Sequence, residues 1–417
     1  MRIIADLHIH SRYSRATSRE MTLESLALWA KLKGIGLIGT GDFTHPAHFA
    51  SIEEKLEPTG NGLFVLKNGI AGDDVRFMLS AEVSNIFSLG GKTRKVHSLI
   101  FSPTIEAARK INAAFSSLGN INSDGRPIFG FSAQDLIKIV MDASPEAMLV
   151  PAHAWTPWFS IFGSKSGFDS IEECFGEYSK YIHAIETGLS SNPEMNWRIS
   201  ALDRITLISN SDAHSPSKLG REANVFDCNM DYYEIRDILI NKDKKRFLYT
   251  VEFYPEEGKY HSDGHRACGV RLGPEETKAL SGNCPVCGKG LTVGVLSRVE
   301  ELSDRPSGYI PENAIPARHM VPLEEILASA MGVGVASVKV QREYRRLVSA
   351  APEFSYLLDM DSDELTESCG ELIASAIQRV RSGEISVSPG YDGEFGRICV
   401  FDKKIVPQTH PLQIGLL

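Results

Sequence analysis

No stretch of these 417 residues approaches the roughly 18 uninterrupted apolar residues that a membrane-spanning helix needs, so no membrane partner is expected. A basic leader with a short apolar core is missing as well. The chain goes straight from Met1 into an apparent strand at Arg2-Ile3-Ile4, and no secretory signal is expected. Cysteine is scarce: there are seven, an odd number, and Cys268, Cys284 and Cys287 sit together in a metal-like cluster. That argues against a disulfide framework and for a reducing, cytoplasmic location. A basic excess is absent too. The 53 acidic residues outnumber the 44 Lys and Arg, giving a net charge of −9. A generally basic, histone-like binder is excluded, whereas nucleic acid is not, because cations in a cleft can dominate the local field.

What is present is an alternation of apolar runs and helical stretches over the first 215 residues. "RIIADLHIH", "GIGLIGTGD", "RFMLSAEVS", "VHSLIFS", "AMLVPAHAW", "YIHAIETG" and "ITLISNSDAH" read as seven strands. Between them, "TLESLALWAKLKG" and "SAQDLIKIVMDAS" read as helices capped by Thr22 and Ser132. Strand and helix in turn predict an α/β architecture with a largely parallel sheet, and seven strands suffice for a barrel.

The polar residues fall at the ends of those runs. His8 and His10, Asp42, His153, and Asp212 with His214 each follow a strand, on the face where barrel enzymes assemble their sites. His8 and His10 are two apart, so an extended segment presents both imidazoles on one side. Glu82 and His97 flank a hairpin-like stretch. A turn at Leu89-Gly90 would set them directly opposite each other, on one face. The candidate metal ligands are therefore His8, His10, Glu82, His97, His153, Asp212 and His214. Imidazole mixed with carboxylate suits zinc, manganese or magnesium, and two such cations about 3.5–4 Å apart can clamp a phosphodiester and acidify a water. Asp42 is read as orienting a ligand more than being one. Arg12, Tyr13 and Arg15 follow the histidines and suit an anionic substrate, Arg12 and Arg15 as catalytic or phosphate-binding groups and Tyr13 at the pocket entrance. "GGKT" at 90–93 imitates a phosphate loop, but the first glycine of that motif would fall on Ile86.

A second cluster lies further on. His265, two residues, Cys268, fifteen residues, then Cys284, two residues and Cys287 fits a structural zinc site, with His261 as the alternative to His265. Downstream, "LEEILASAMGVGVASVKVQREYRRLV" reads as two helices about a Gly-Val-Gly turn, either a DNA-backbone binder or a plain helical hairpin. "VSPGYDGEFGRICVF" (387–401), with three glycines around Tyr391 and Phe395, is either a loop presenting these aromatics to a base, Tyr391 being the one taken as substrate-binding, or a simple hairpin turn. The terminal "QTHPLQIGLL" does not convincingly match a sliding-clamp motif.

The ordered set "DLHIH", "TGD", "AEV", "VH", "PAH" and "SDAH" resembles the PHP (polymerase and histidinol phosphatase) superfamily over residues 1–250. Its usual acid or histidine shortly after the HxH is missing, since Ser14 and Arg15 stand there, and its TDH reads Gly41-Asp42-Phe43. The third metal site is thereby put in doubt. "HSRYSRATSREMT", "KLKGIGLIGTGD", the zinc cluster and "PGYDGEFG" together resemble the endonuclease Q family nearly end to end. That resemblance implies a distorted seven-stranded βα barrel over 1–250, a zinc-binding domain over 251–310 and a helical DNA-binding region over 311–417. It also implies a two- or three-metal endonuclease that cuts double-stranded DNA 5′ to hypoxanthine, uracil or xanthine and at abasic sites. His8, His10, Glu82 and Asp212 would hold one ion and Glu82, His97 and His153 another, in a monomer associated with the nucleoid. Two other readings stand beside it, a small-molecule phosphatase of the histidinol phosphate type and a non-catalytic, metal-stabilised DNA-binding protein.

Overall fold

A computed structural model of the chain describes residues 1–67, 69 and 74–401. The terminal segment considered for clamp binding lies outside the described residues. Each of the seven apolar runs contains a strand: β1 (Arg2–Asp6), β2 (Leu37–Gly39), β3 (Arg76–Leu89), β4 (Lys92–Ser102), β5 (Met148–Pro151), β6 (Ala184–Glu186) and β7 (Thr206–Ile208). β8 (Ala223–Asp227), β9 (Phe247–Glu252) and β10 (Ala317–His319) extend the sheet from the other edge of β1.

The pairing is mixed rather than largely parallel. β1, β2 and β3 run parallel, but β3–β4, β4–β5, β1–β8 and β8–β9 are antiparallel. The cause at β3–β4 is local. Gly90 and Gly91 adopt φ of +61° and +75°, the two-residue turn that returns a strand on itself without splaying it. β6 and β7 form a separate parallel pair. Backbone bonds tie that pair in, from Ala154 N–H to Glu186 O (2.9 Å), from Thr187 N–H to Ile208 O (2.9 Å), and from His10 N–H to Ala213 O (3.0 Å). Hydrogen bonds thus lead from β1 through β5, across β6 and β7, and back to the segment after β1.

The helices behave as their sequences dictate. Thr22 accepts from Ser25 N–H to open helix Leu23–Lys33, and Gly34 closes it at φ +86°. Ser132 and Asp135 form a capping box before Ala133–Ala143. Leu323–Met331 and Val338–Ala350 are the two helices expected about the Gly-Val-Gly turn. β9 runs through residue 250, so the boundary expected there falls inside a strand. The C-terminal region also packs on the first helix. Trp29 stacks on Tyr344 at 6.4 Å, and Lys33 Nζ lies 2.8 Å from Glu353 Oε2, both side chains buried. Removing one partner of such a pair would strand a buried charge, at about 3–5 kcal/mol.

Candidate metal centre

The strand ends converge as the sequence suggests. His8 and His10 follow β1, Asp42 follows β2, His153 follows β5, and Asp212 with His214 follow β7, while Glu82 and His97 come from within β3 and β4. The register differs from the expected one: Ser84, not Glu82, lies opposite His97, and Glu82 faces Leu99. The turn is centred one position later, on Gly90-Gly91. The slip of two residues leaves both side chains on one face, and His97 Nδ1 is 2.8 Å from Glu82 Oε1.

Three groups of ligand atoms result: His8, His10 and Glu82; Glu82, His97 and His153; His10, Asp212 and His214. Glu82 belongs to two of them. Its Oε1 is 3.1 Å from His153 Nε2, and its Oε2 is 3.3 Å from His10 Nε2 and 3.7 Å from His8 Nε2. Asp212 Oδ1 stands 3.1 Å from His10 Nε2 and 3.5 Å from His8 Nε2. None of these last contacts has hydrogen-bond geometry: His8 Nε2, His10 Nε2 and Asp212 Oδ1 are buried atoms without a hydrogen-bond partner. Orphaned donors and acceptors of this kind are costly unless something else satisfies them, and a cation fits the donor set. The backbone carries strain here as well. Asp42, His153 and Asp212 sit at φ of +42°, +31° and +47°, a region that non-glycine residues rarely hold outside over-determined sites.

Behind the imidazoles stand carboxylates. His8 Nδ1 lies 3.0 Å from both oxygens of Glu186, which also accepts from His153 N–H (2.8 Å) and Asn210 Nδ2 (2.9 Å). His10 Nδ1 is 3.1 Å from Asp42 Oδ1, and Asp42 Oδ2 accepts from the Ser11 amide and from the hydroxyls of Ser11 and Ser14. A donated Nδ1 proton leaves Nε2 facing the mouth. Burial alone would lower His8 and His10, yet Glu186 with Asp212, and Asp42 with Asp212, raise them well above the ordinary imidazole range. Burial would raise Glu82, but Arg126 and His97 hold it well below the usual carboxylate range. Desolvation takes His97 down to about 4 against the pull of Glu82.

Two site residues went unnoticed in the sequence. Glu186 ends the run "YIHAIETG", the same placement that marked the histidines. Arg126, in "SDGRPIF", donates from Nη1 to Glu82 Oε2 at 2.7 Å, and no periodic pattern marks it. Conversely, Arg12 and Arg15 are not brought to the ligand groups. Arg12 is exposed over the Tyr13 ring (5.2 Å), and Arg15 is 79% exposed and paired with Asp124 at 3.1 Å. Tyr13 stacks on His45 at 4.5 Å.

The second cluster also assembles. His265, Cys268, Cys284 and Cys287 bring one ligand atom each within 4.8 Å of the others, and His265 rather than His261 is the histidine. Among the aromatics of 387–401, Tyr391 lies against Gly264, where a side chain would collide with its ring. The exposed ring is Phe395, at 69%, with Lys259 Nζ 4.4 Å from its centroid.

A family model described as the MJ0043 C-terminal domain matches residues 322–384. The chain is 34% identical over 261 residues to the uncharacterized protein MJ0043 of Methanocaldococcus jannaschii, covering 61% of this chain and 32% of that one, so it spans about a third of that relative. It is 29% identical over 409 residues to the uncharacterized protein YqxK of Bacillus subtilis, covering 95% and 99%. Among solved structures it is similar to the lesion-specific endonuclease PfuEndoQ from Pyrococcus furiosus, with TM-score 0.85, 30% identity and coverage of 97% and 98%. It is also similar to an endonuclease Q in complex with a 27-mer duplex substrate carrying an abasic lesion at the active site, with TM-score 0.83, 31% identity and coverage of 97% and 99%. Likeness along nearly the whole of both chains, at this identity, means that the chain belongs to the endonuclease Q family.

Proposed function

We propose that the chain is a metal-dependent DNA repair endonuclease that hydrolyses the phosphodiester 5′ to hypoxanthine, uracil or xanthine, and at abasic sites. The observation that carries this reading is the convergence of unpartnered His8, His10 and Asp212 atoms with the shared Glu82 carboxylate. The relative whose structure holds an abasic duplex supports the substrate class. We read the ring of strands as the distorted barrel of the resemblance, with the His265–Cys287 cluster as a closed zinc module and the helices beyond residue 311 as a DNA-binding region. The enzyme would act as a cytoplasmic monomer.

His8, His10, Glu82 and Asp212 would hold one cation and Glu82, His97 and His153 a second; His10 has only Nε2 free for a metal, so a third cation would rest on His214 and Asp212. Bound there, such ions supply a Lewis acid for the phosphoryl oxygens and lower the pKa of a water. The chain itself does the positioning. Glu186 and Asp42 fix the tautomers of His8 and His10, and Arg12, Tyr13 and Arg15 border the entrance. Deaminated bases pair weakly, so extruding one costs less than extruding a normal base, which gives selectivity before any base edge is read.

The test uses end-labelled duplexes that carry one deoxyinosine, one abasic site or no lesion, each with Mg²⁺, Mn²⁺ or Zn²⁺, beside a phosphomonoester. Nicking of the lesion duplexes alone, leaving a 3′-hydroxyl and a 5′-phosphate, is expected; turnover of the monoester alone would overturn the reading.

A separate expectation concerns the exposed aromatics. From the site, His97 packs on Phe159 (4.7 Å) and neighbouring Trp158 meets Tyr260 (5.5 Å), which adjoins Lys259 beneath Phe395. Phe395, rather than the packed Tyr391, is then the ring free to stack on a base. Base–aromatic stacking is worth about 1–3 kcal/mol, so Phe395→Ala is expected to weaken binding of a lesion duplex between about fivefold and about a hundredfold. Fluorescence anisotropy checks this, and Tyr391→Phe serves as the comparison that leaves affinity unchanged.

A further inference from the structure

We propose that Arg126 grips the scissile phosphate of the substrate, an inference that rests on the endonuclease reading and names a residue for it. Arg126 lies on the connection between helix Ile105–Leu118 and helix Ala133–Ala143. Its Nη1 donates to Glu82 Oε2 at 2.7 Å, so the guanidinium reaches the one carboxylate shared by two ligand groups. Glu82 is fully buried, whereas the Arg126 side chain stays 27% exposed.

The placement is rigid. Asp124 Oδ1 accepts the Arg126 N–H (3.1 Å), Gly125 N–H donates to Tyr13 O (3.0 Å), and Thr44 Oγ1 donates to Gly125 O (3.2 Å). A side chain at position 125 would strike the Asp42 carboxylate and the Ser14 hydroxyl. The loop is therefore threaded against the same carboxylate that orients His10, and Arg126 is delivered to the mouth from that anchor.

The unused donors then decide the role. One donor is used on Glu82, and among the described residues Nε and Nη2 have no hydrogen-bond partner. A planar fork with donors to spare suits two non-bridging phosphate oxygens, whose charge grows as a water oxygen bonds to phosphorus and gives its proton to solvent, while the P–O3′ bond breaks and O3′ takes a proton from solvent to leave as the 3′-hydroxyl. Arg126 transfers no proton in that step. Arg12 and Arg15 touch none of the ligand groups, so neither competes for the assignment.

The alternative is that Arg126 only holds Glu82 in place. Purified Arg126→Gln and Arg126→Lys chains separate the two when metal content, thermal midpoint and steady-state nicking of an abasic duplex are measured together. If Arg126 binds phosphate, Arg126→Gln keeps the wild-type number of bound ions and its thermal midpoint while kcat falls about a hundredfold or more. Arg126→Lys then recovers part of the loss, since it restores the charge but not the fork. Loss of bound ions in Arg126→Gln, or unchanged kcat, overturns the proposal while wild-type nicking still stands. A wild-type chain that leaves the duplex whole overturns the endonuclease reading and this assignment together.

Discussion

Glu82→Gln is expected to lower the nicking rate on an abasic duplex by about three orders of magnitude or more while the chain keeps its fold. The substitution preserves shape, so the cost is electronic. Glu82 Oε1 faces His97 Nδ1 at 2.8 Å and His153 Nε2 at 3.1 Å; Oε2 faces Arg126 Nη1 at 2.7 Å and His10 Nε2 at 3.3 Å. A glutamine removes the charge that both ligand groups share. It also turns an N–H₂ donor toward imidazole nitrogens or a guanidinium, whichever way the amide is set. Two cations would then lose their common carboxylate at once. Glu186→Gln gives the contrast. Glu186 touches His8 only at Nδ1, behind the mouth, and changes to such supporting partners cost about 10–100-fold in metal affinity or activity. Metal content by mass spectrometry and single-turnover nicking measure both variants, with thermal midpoints as the control for folding. Equal losses in the two would mean that Glu82 holds no privileged place, and the shared-carboxylate picture would fail.

How far the site could be read from the sequence follows from which physical signals are periodic. His8, His10, Asp42, His153, Asp212 and His214 were legible because each follows a short apolar run, and alternation fixes the side to which a strand residue points. Glu186 has the same placement in "AIETG". It escaped because it stands behind His8 rather than beside the other candidate ligands. The β3–β4 register was misread by two positions, yet the face survived, since side chains repeat with period two; an error of one would have turned Glu82 away from His97. The mixed pairing of the sheet was hidden for a related reason. Whether two apolar runs pair as a hairpin or through a helical crossover depends on a turn as short as Gly90-Gly91. Arg126 carries no pattern at all. Its place is set by Gly125 and Asp124, a loop whose path depends on packing against Asp42. The left-handed backbones of Asp42, His153 and Asp212 were likewise invisible, because sequence marks that conformation mainly through glycine.

Cys284→Ser is expected to release one zinc ion per chain and to open residues 261–291 to protease, with the Glu82 cluster still able to take its own metals. The apolar material of this module is too small to hold it. Val270, Cys284 and Leu291 form its buried cluster, with Cys268 and Leu272 beside them. Burying an aliphatic side chain contributes about 1.5–3 kcal/mol, so this cluster offsets only part of the entropy of ordering some thirty residues. A four-ligand zinc site contributes about 10–16 kcal/mol to folding, enough to decide the matter. The backbone is already arranged for it. Cys284 N–H donates to Lys289 O at 2.8 Å and Gly288 N–H to Cys284 O at 2.8 Å, closing a knuckle around the thiols. Although desolvation opposes it, the amides of Cys287 and Val286 bring the Cys284 thiol down to about 7, favouring the thiolate that a metal needs. Lesion nicking should fall as well, through a different route from Glu82→Gln. Asp392 accepts from Thr292 Oγ1 and from Arg266 N–H, both at 2.6 Å, so the segment that presents Phe395 is moored to this module. The two variants therefore separate. Glu82→Gln lowers kcat on a folded chain that still binds the duplex, whereas Cys284→Ser weakens duplex binding and yields a protease cut between residues 261 and 291. A Cys284→Ser chain with its full zinc content and an intact 261–291 segment would mean that His265, Cys268, Cys284 and Cys287 are not a metal site.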